Sequence, residues 1–292
     1  MPQERLSIIT INYNNREGLR KTIESVVNQT YRSFEYIIID GGSTDGSVEV
    51  IKEYEDNISY WVSEPDNGIY HAMNKGIAKA NAPYCQFLNS GDNFHSTTVL
   101  EQVIPCLDGT DIVVGQLFLS NTLSASEIIP TVSMLRLYER SLPHSSAYIS
   151  TRLLRKYQYD TSLKIVSDWK FYIQALIYEN ASYKFIETIV SNFDTNGISS
   201  QNTALVLSER EQVLKELLPE RIRLDYFKFA NGQGYQENSY DQFFIQTRKY
   251  PQYAKLVYSI SVIMMQLISV FKRGAQYARN FPIRFNHKNI QR

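Results

Sequence analysis

Leu6-Ser7-Ile8-Ile9-Thr10-Ile11 and Phe34-Glu35-Tyr36-Ile37-Ile38-Ile39-Asp40 are the two runs that decide the fold. Both are short, apolar and rich in β-branched residues, so each reads as a strand. Between them, Asn12-Tyr13-Asn14-Asn15 is a polar turn. Residues 16–28 then have helical spacing, with Leu19, Ile23, Val26 and Val27 on one face. After Asp40 comes a small polar loop, Gly41-Gly42-Ser43-Thr44-Asp45-Gly46-Ser47, then a predicted helix over 47–54 and a third strand over 58–63. Strand, helix, strand, helix, strand in roughly 60 residues implies βαβ units and a parallel sheet.

The pattern continues with the turn Glu64-Pro65-Asp66-Asn67-Gly68 and a helix over 69–80, whose buried side holds Ile69, Ala72, Met73, Gly76 and Ile77. A strand over 84–88 leads into Asn89-Ser90-Gly91-Asp92. A helix is expected over 97–107 and strands over 111–115 and 116–119, whereas 120–140 show no decisive pattern. Pro143-His144-Ser145-Ser146 precedes a strand over 147–150 and a short helix over 151–157. Ser167-Asp168 opens an amphipathic helix over 169–179. Residues 183–190 read as a strand, 193–200 as a loop, and 202–218 as a helix stopped by Pro219.

The chain has 292 residues, enough for one large domain or a domain with an extension. Its 30 basic and 30 acidic residues balance, so average charge points to no partner class. The distribution does: from Gln242 to Arg292 there is no Asp or Glu, while basic residues continue to the end. Such an end suits anionic lipid or another polyanion. The only cysteines are Cys85 and Cys106. Cys85 lies in a strand pattern and reads as a core thiol, which fits a reducing compartment. The N-terminus runs straight into a strand with no apolar leader, so a cytoplasmic location is expected.

Three successive strands deliver acids at their carboxyl ends: Asp40, then Glu64 with Asp66, then Asp92. Parallel strands end on one edge of the sheet, where ligands of open α/β sheets bind. Carboxylates gathered there call for a cation or for hydrogen-bond donors. A sugar nucleotide supplies both, through its base and ribose and through a diphosphate that brings Mg²⁺ or Mn²⁺. The plainer reading makes these acids helix caps or turn residues. It is favoured for Asp45 and Ser47, less so for Asp40 and Asp92.

These segments resemble the family 2 glycosyltransferases, inverting enzymes of the GT-A fold. The resemblance rests on residues 7–15, on Ile39-Asp40-Gly41-Gly42-Ser43-Thr44-Asp45-Gly46-Ser47, on 64–70, on Met73-Asn74-Lys75-Gly76 and on Leu88-Asn89-Ser90-Gly91-Asp92. It covers about the first 100 residues and is looser beyond. It implies a mixed, mainly parallel α/β sheet flanked by helices, over 1–201, with a helical C-terminal extension over 202–292. By position, Ile11 and Tyr13 would pack on base and ribose, and Asp40 would accept from the base. Asp66, Gly68, Lys75, Ser90 and Gly91 would face the nucleoside or diphosphate. Asp92 matches the last acid of the family's DxD motif and would hold Mg²⁺ or Mn²⁺. Ser90 stands where the motif has its first acid, a departure from the pattern. Asp168 would be the catalytic base, although Ser167 or Asp168 could equally cap the helix. His144 and Ser199 are candidates for contact with phosphate or acceptor. A UDP-sugar donor and a saccharide or lipid-linked acceptor, in surface polysaccharide synthesis, are the partners implied.

Two other classes compete. A nucleotidyltransferase would carry a Gly-rich, basic loop after the first strand, where Asn12-Tyr13-Asn14-Asn15 stands. A non-catalytic sugar-nucleotide-binding or scaffold protein would account for Ser90. Residues 256–271 place Leu256, Ile260, Ile263, Met264, Leu267 and Phe271 on one helical face with basic flanks. Sixteen residues are too few to span a bilayer, for which about 20 are needed. The segment reads as an in-plane helix on a membrane surface, making 251–292 a peripheral contact, or as a helix packed on the domain.

Overall fold

The computed structural model describes residues 4–119, 123–193 and 202–230, together with Ile260 and Met264. The first βαβαβ is as the periodicity predicts: β1 (Leu6–Asn12), α1 (Arg16–Val27), β2 (Glu35–Asp40), α2 (Ser47–Glu53) and β3 (Tyr60–Ser63). α3 (Ile69–Lys79) and β4 (Tyr84–Phe87) follow. Every residue of β1, β2 and β4 is buried, which is why these strands read as apolar runs and not as alternating ones.

The remaining elements are β5 (Asn93–Phe94), α4 (Val99–Val103), β6 (Ile112–Leu119), β7 (Ser124–Ala125), α5 (Met134–Glu139), β8 (Ala147–Ser150), α6 (Thr151–Tyr157), α7 (Ser167–Ile173), β9 (Tyr183–Phe193), α8 (Thr203–Leu217) and α9 (Glu220–Ala230). The strands form one sheet in the order β3-β2-β1-β4-β8-β6-β9-β5, with β7 on β6. β3, β2, β1 and β4 are mutually parallel, β8 runs antiparallel between β4 and β6, and β6 and β9 are parallel. The sheet is thus mixed and mainly parallel, as expected. The chain winds outward from β1 through β2 to β3, then returns to place β4 on the other side of β1. That reversal opens a crevice at the carboxyl ends of β1 and β4, the usual place for a ligand.

Local departures have local causes. The helix expected over 97–107 is short, because Pro105 interrupts it and a 3₁₀ turn, Ile104–Cys106, takes over. The two strands expected over 111–119 are one, β6, with a register shift at Gln116. A Cβ on Gly115 would stand 2.5 Å from Val190 Cγ2, so only glycine permits β6 and β9 this approach. α7 continues through a π-helical stretch, Gln174–Tyr178. The undecided region contains β7 and α5, the latter capped by Ser133, whose side chain accepts from the Arg136 N–H. Cys85 is a buried free thiol, and burial pushes it up to about 12, which makes it unreactive.

The chain forms two compact units, Met1–Arg223 and Leu224–Arg292. The boundary expected at 201/202 therefore falls inside the first unit. α8 belongs there because Val213 is fully buried and Glu209 bonds three backbone N–H groups of the loop before α7. In the second unit, Leu224, Phe227 and Phe229 of α9 are exposed, as are Ile260 and Met264. The remainder of the segment read as an in-plane helix lies outside the described residues. Among the described residues no helix is long and apolar enough to cross a membrane.

Candidate active site

A cleft of about 1420 Å³ lies over the β1–β4 crevice and extends along α3, α5 and the start of α7. It exceeds the roughly 300–1,000 Å³ of a pocket for one small ligand. Ile11, Tyr13, Asp66, Gly68, Ser90, Asp92, His144 and Asp168 all line it. The sheet topology thus gathers eight residues that the sequence names from segments as far apart as β1 and α7.

At the β1–β4 end of the cleft, Ile11 is a buried floor and Tyr13 projects, two-thirds exposed. Asp66 is held by its own turn: Oδ1 accepts from the Gly68 N–H at 2.9 Å. A Cβ on Gly41 would lie 2.7 Å from Asp66 Oδ2, so glycine there admits the carboxylate. Gly91 has φ +105°, a conformation that favours glycine, and its N–H bonds Thr22 Oγ1 at 3.0 Å. It shapes the Ser90–Asp92 turn and is not itself part of the cleft wall. Thr22 Oγ1 also bonds the Asp92 carbonyl at 2.6 Å, which pins that residue to α1.

Two expected site residues sit elsewhere. Asp40 is fully buried behind the wall. Its carboxylate accepts from Asn12 Nδ2 (2.7 Å), the Ser43 N–H (2.9 Å), Ser43 Oγ (2.6 Å) and Ser63 Oγ (2.6 Å). Four donors occupy its lone-pair sites, so it ties together the ends of β1, β2 and β3 and has nothing left for a base. Lys75 pairs with Glu64 at 2.8 Å and braces the turn before α3 from outside the cleft. Ser199 lies outside the described residues. Asp45 acts as the plainer reading holds: it accepts from Ser47 Oγ (2.6 Å), from the Ser47 N–H (3.1 Å) and from the Arg16 N–H (2.8 Å), which lowers its pKa.

The cleft also holds groups that the sequence does not single out. Asn12 donates through Nδ2 to Asp40 and to Ser43 Oγ, which fixes its amide. Its Oδ1 is buried in the cleft wall and has no partner among the described residues. That acceptor is open to an N–H or O–H donor of a bound molecule. Asn89 likewise keeps a buried, unpartnered Oδ1 in the same wall as Asp92.

At the other end, Asp168 lies half-buried in the first turn of α7. Val166 is the N-cap, with no side-chain bond, so neither Ser167 nor Asp168 caps this helix. The Tyr70 hydroxyl donates to Ile165 O at 2.5 Å and lies 3.2 Å from Asp168 Oδ1. Burial raises the Asp168 pKa above the usual carboxylate range, opposed by His144 and the Tyr70 bond. His144 stacks on Phe87, ring centroids 5.3 Å apart, and neither of its ring nitrogens has a hydrogen-bond partner among the described residues. Burial lowers its pKa, opposed by the charge of Asp168. A carboxylate made more basic by burial, beside a neutral imidazole, can take a proton from a hydroxyl.

Among the described residues no three His, Cys, Asp or Glu side chains form a metal cluster. Asp92 and the Asn89 Oδ1 are nevertheless hard oxygen donors in one wall. They fit Mg²⁺ or Mn²⁺ that draws its other ligands from phosphates and water.

The sequence matches Glycosyl transferase family 2 over residues 7–157. It is 35% identical over 205 residues to an uncharacterized glycosyltransferase of Mycobacterium tuberculosis, covering 67% of this chain and 77% of that protein. It is 33% identical over 101 residues to TuaG, a Bacillus subtilis glycosyltransferase named for teichuronic acid biosynthesis, covering 34% and 40%. Among solved structures, S. aureus TarS in complex with UDP-GlcNAc superposes with a TM-score of 0.60 at 17% identity, over 82% of this chain and 77% of that one. A mannosyltransferase of Pyrobaculum calidifontis, bound to GDP-Man and Mn²⁺, superposes at 0.53 with 16% identity, over 68% and 59%. The family match spans more than half the chain, which sets aside the nucleotidyltransferase and scaffold readings: the chain belongs to Glycosyl transferase family 2 and is a glycosyltransferase.

Proposed function

We propose that the chain transfers a sugar from a nucleoside-diphosphate donor, a UDP-sugar by preference, to a hydroxyl of a saccharide or lipid-linked acceptor, with inversion at the anomeric carbon. One observation carries the reading: a single cleft contains both Asp92, at the crevice between β1 and β4, and Asp168, a half-buried carboxylate with a raised pKa. Asp168 would take the proton of the acceptor hydroxyl as its oxygen attacks the anomeric carbon, and the bond to the diphosphate would break with its electron pair leaving on phosphate. His144 would donate to, or accept from, the substrates at the same point. Asn12 Oδ1, Ile11 and Tyr13 would receive the nucleoside. Asp92 and Asn89 would hold Mg²⁺ or Mn²⁺, which offsets charge on the departing diphosphate. The complexes of TarS with UDP-GlcNAc and of the Pyrobaculum enzyme with GDP-Man and Mn²⁺ support a sugar-nucleotide donor and a divalent ion. The name of TuaG supports a place in polysaccharide synthesis.

Calorimetry with UDP, GDP and dTDP, each with Mn²⁺ and with EDTA, tests the donor half. One nucleotide is expected to bind in a metal-dependent manner. Asp92→Asn should weaken that binding by about tenfold, roughly 1.4 kcal/mol, and abolish its sensitivity to EDTA. Failure of all three nucleotides to bind folded protein would sink the assignment.

The acid-free, basic segment from Gln242 to Arg292 is the part we assign to the inner face of a membrane, where lipid-linked acceptors reside. The full chain should float with anionic vesicles, and truncation at Pro251 should abolish flotation. Unchanged flotation of the truncated chain would refute this assignment.

A further inference from the structure

The charges lining the cleft are divided. From the first hundred residues the wall receives Asp66 and Asp92 and no Lys or Arg. From the rest it receives Glu127 and Asp168 against four cations, Arg136, Arg140, Lys164 and Arg210. A donor diphosphate with its metal accounts for the acidic end. Nothing in that account uses the basic end.

The basic groups are not neutralised by one another's partners. Glu127 is shared, 2.6 Å from Arg136 Nη2 and 3.6 Å from Arg140 Nη1, so one carboxylate serves two guanidinium groups. Lys164 is exposed and makes no ion pair among the described residues. Arg210 is the most telling. Its guanidinium lies 4.4 Å over the Trp169 ring and donates to the carbonyls of Leu137 (3.0 Å) and Tyr138 (2.6 Å). Those bonds orient the group; the charge of Asp168 acts on it from nearby, but it makes no direct ion pair with a carboxylate among the described residues. A half-buried, unpaired cation is costly. Fixed on a wall of a cleft, it is the arrangement expected of a site awaiting an anion, and the planar guanidinium suits phosphate.

Position then decides whose phosphate. Arg210 stacks on Trp169, the residue after Asp168, so it stands on the side of the general base. In an inverting displacement the base and the leaving group lie on opposite faces of the anomeric carbon. Groups beside the base therefore meet the acceptor and not the donor diphosphate. The 1420 Å³ cleft has room for both. From this we infer that Arg210, with Lys164 and Arg140, forms an anion subsite for a phosphate carried by the acceptor near the attacked hydroxyl. The inference rests on the glycosyl-transfer reading above and names the acceptor's chemical class.

The probe is glucose 1-phosphate, titrated by calorimetry into the full chain already saturated with UDP and Mg²⁺, with methyl α-glucoside as its neutral counterpart. The sugar phosphate should bind at least tenfold more tightly than the glucoside. Arg210→Ala should remove that preference while UDP affinity stays within twofold, and Arg210→Lys should restore part of it. Arg140→Ala, at an exposed position that bears on no packing, should weaken the sugar phosphate about threefold. Displacement of glucose 1-phosphate by UDP would assign these arginines to the donor diphosphate and overturn the inference. So would equal binding of the glucoside, or wild-type binding by both alanine variants. If no nucleotide binds at all, the glycosyl-transfer reading falls and takes this one with it, whereas nucleotide binding without sugar-phosphate binding overturns the subsite alone.

Discussion

Asp168→Asn is expected to reduce glycosyl transfer by about 10²–10⁴-fold, the span contributed by a positioned general base, with nucleotide affinity unchanged. The amide keeps the shape of the carboxylate and its Oδ1 can still accept from Tyr70, so geometry is preserved and only basicity is lost. The proposed nucleotide position is at the β1–β4 crevice, the other end of the cleft from this change. A wild-type transfer rate in the variant would show that another group takes the proton.

The raised pKa of Asp168 adds two consequences of definite sign. The base works only when ionised, so transfer should rise with pH through a folded-state pKa displaced above the ordinary carboxylate range. The acid limb of the kcat/KM profile reports that value, and Asp168→Asn should flatten it. For stability the sign runs the other way. A carboxyl whose pKa is raised on folding binds its proton more tightly in the native state than in the unfolded chain. Its contribution is therefore most favourable below the ordinary pKa and declines as pH rises through the raised one. At neutral pH the ionised, half-buried Asp168 costs stability, so Asp168→Asn should melt no lower than wild type. A crippled enzyme that is at least as stable is the signature of a site strained for function. A residue that served packing alone would show the reverse.

Legibility along the chain follows the reach of each interaction. β1, β2 and β4 are short, wholly buried strands and β3 is a half-buried one, so their apolar runs and the turn residues between elements can be read one after another. Asp92 and Asp168 come forward as candidates because each stands at the end or start of a clear element, and the structure brings both to one cleft. Asp40 misleads for the same reason: an acid ending a strand reads identically whether it faces the ligand or turns back to Ser43 and Ser63. Asn12 was indistinguishable from an ordinary turn residue until Asp40 fixed its amide. α5 and β7 carry no usable period because their six and two residues are too few to show one. Arg136 and Arg210 look like solvated charges on polar helices, and only the packing of α5 and α8 around Trp169 brings them to the cleft.

Glu209 shows the same limit most strongly, and it yields the other large effect. It sits mid-helix in α8, fifty-two positions past the end of the family match at residue 157, yet it is 6% exposed. Its Oε1 accepts from the Lys164 N–H at 2.7 Å, and its Oε2 from the N–H groups of Ile165 (2.9 Å) and Val166 (3.2 Å). These are the backbone donors leading into α7, where a negative charge also meets the positive end of the helix dipole. From the other side Tyr70 bonds the Ile165 carbonyl. The segment that presents Asp168 is thus clamped between α3 and α8. Glu209→Ala would leave three N–H groups without acceptors, at a cost of about 3 kcal/mol. In a unit of this size that corresponds to roughly 6–12 °C in Tm. Because a displacement of about 1 Å at a reacting group can cost 10²-fold in rate, transfer should fall by about that factor even at temperatures where the variant is fully folded. Nucleotide affinity should hold, since the β1–β4 crevice is untouched. Glu209→Gln retains one acceptor oxygen and should fall between the two. Wild-type kcat with a lowered Tm would make Glu209 a stabilising residue only; loss of rate and retention of nucleotide binding would make α8 part of the machinery that aims the base.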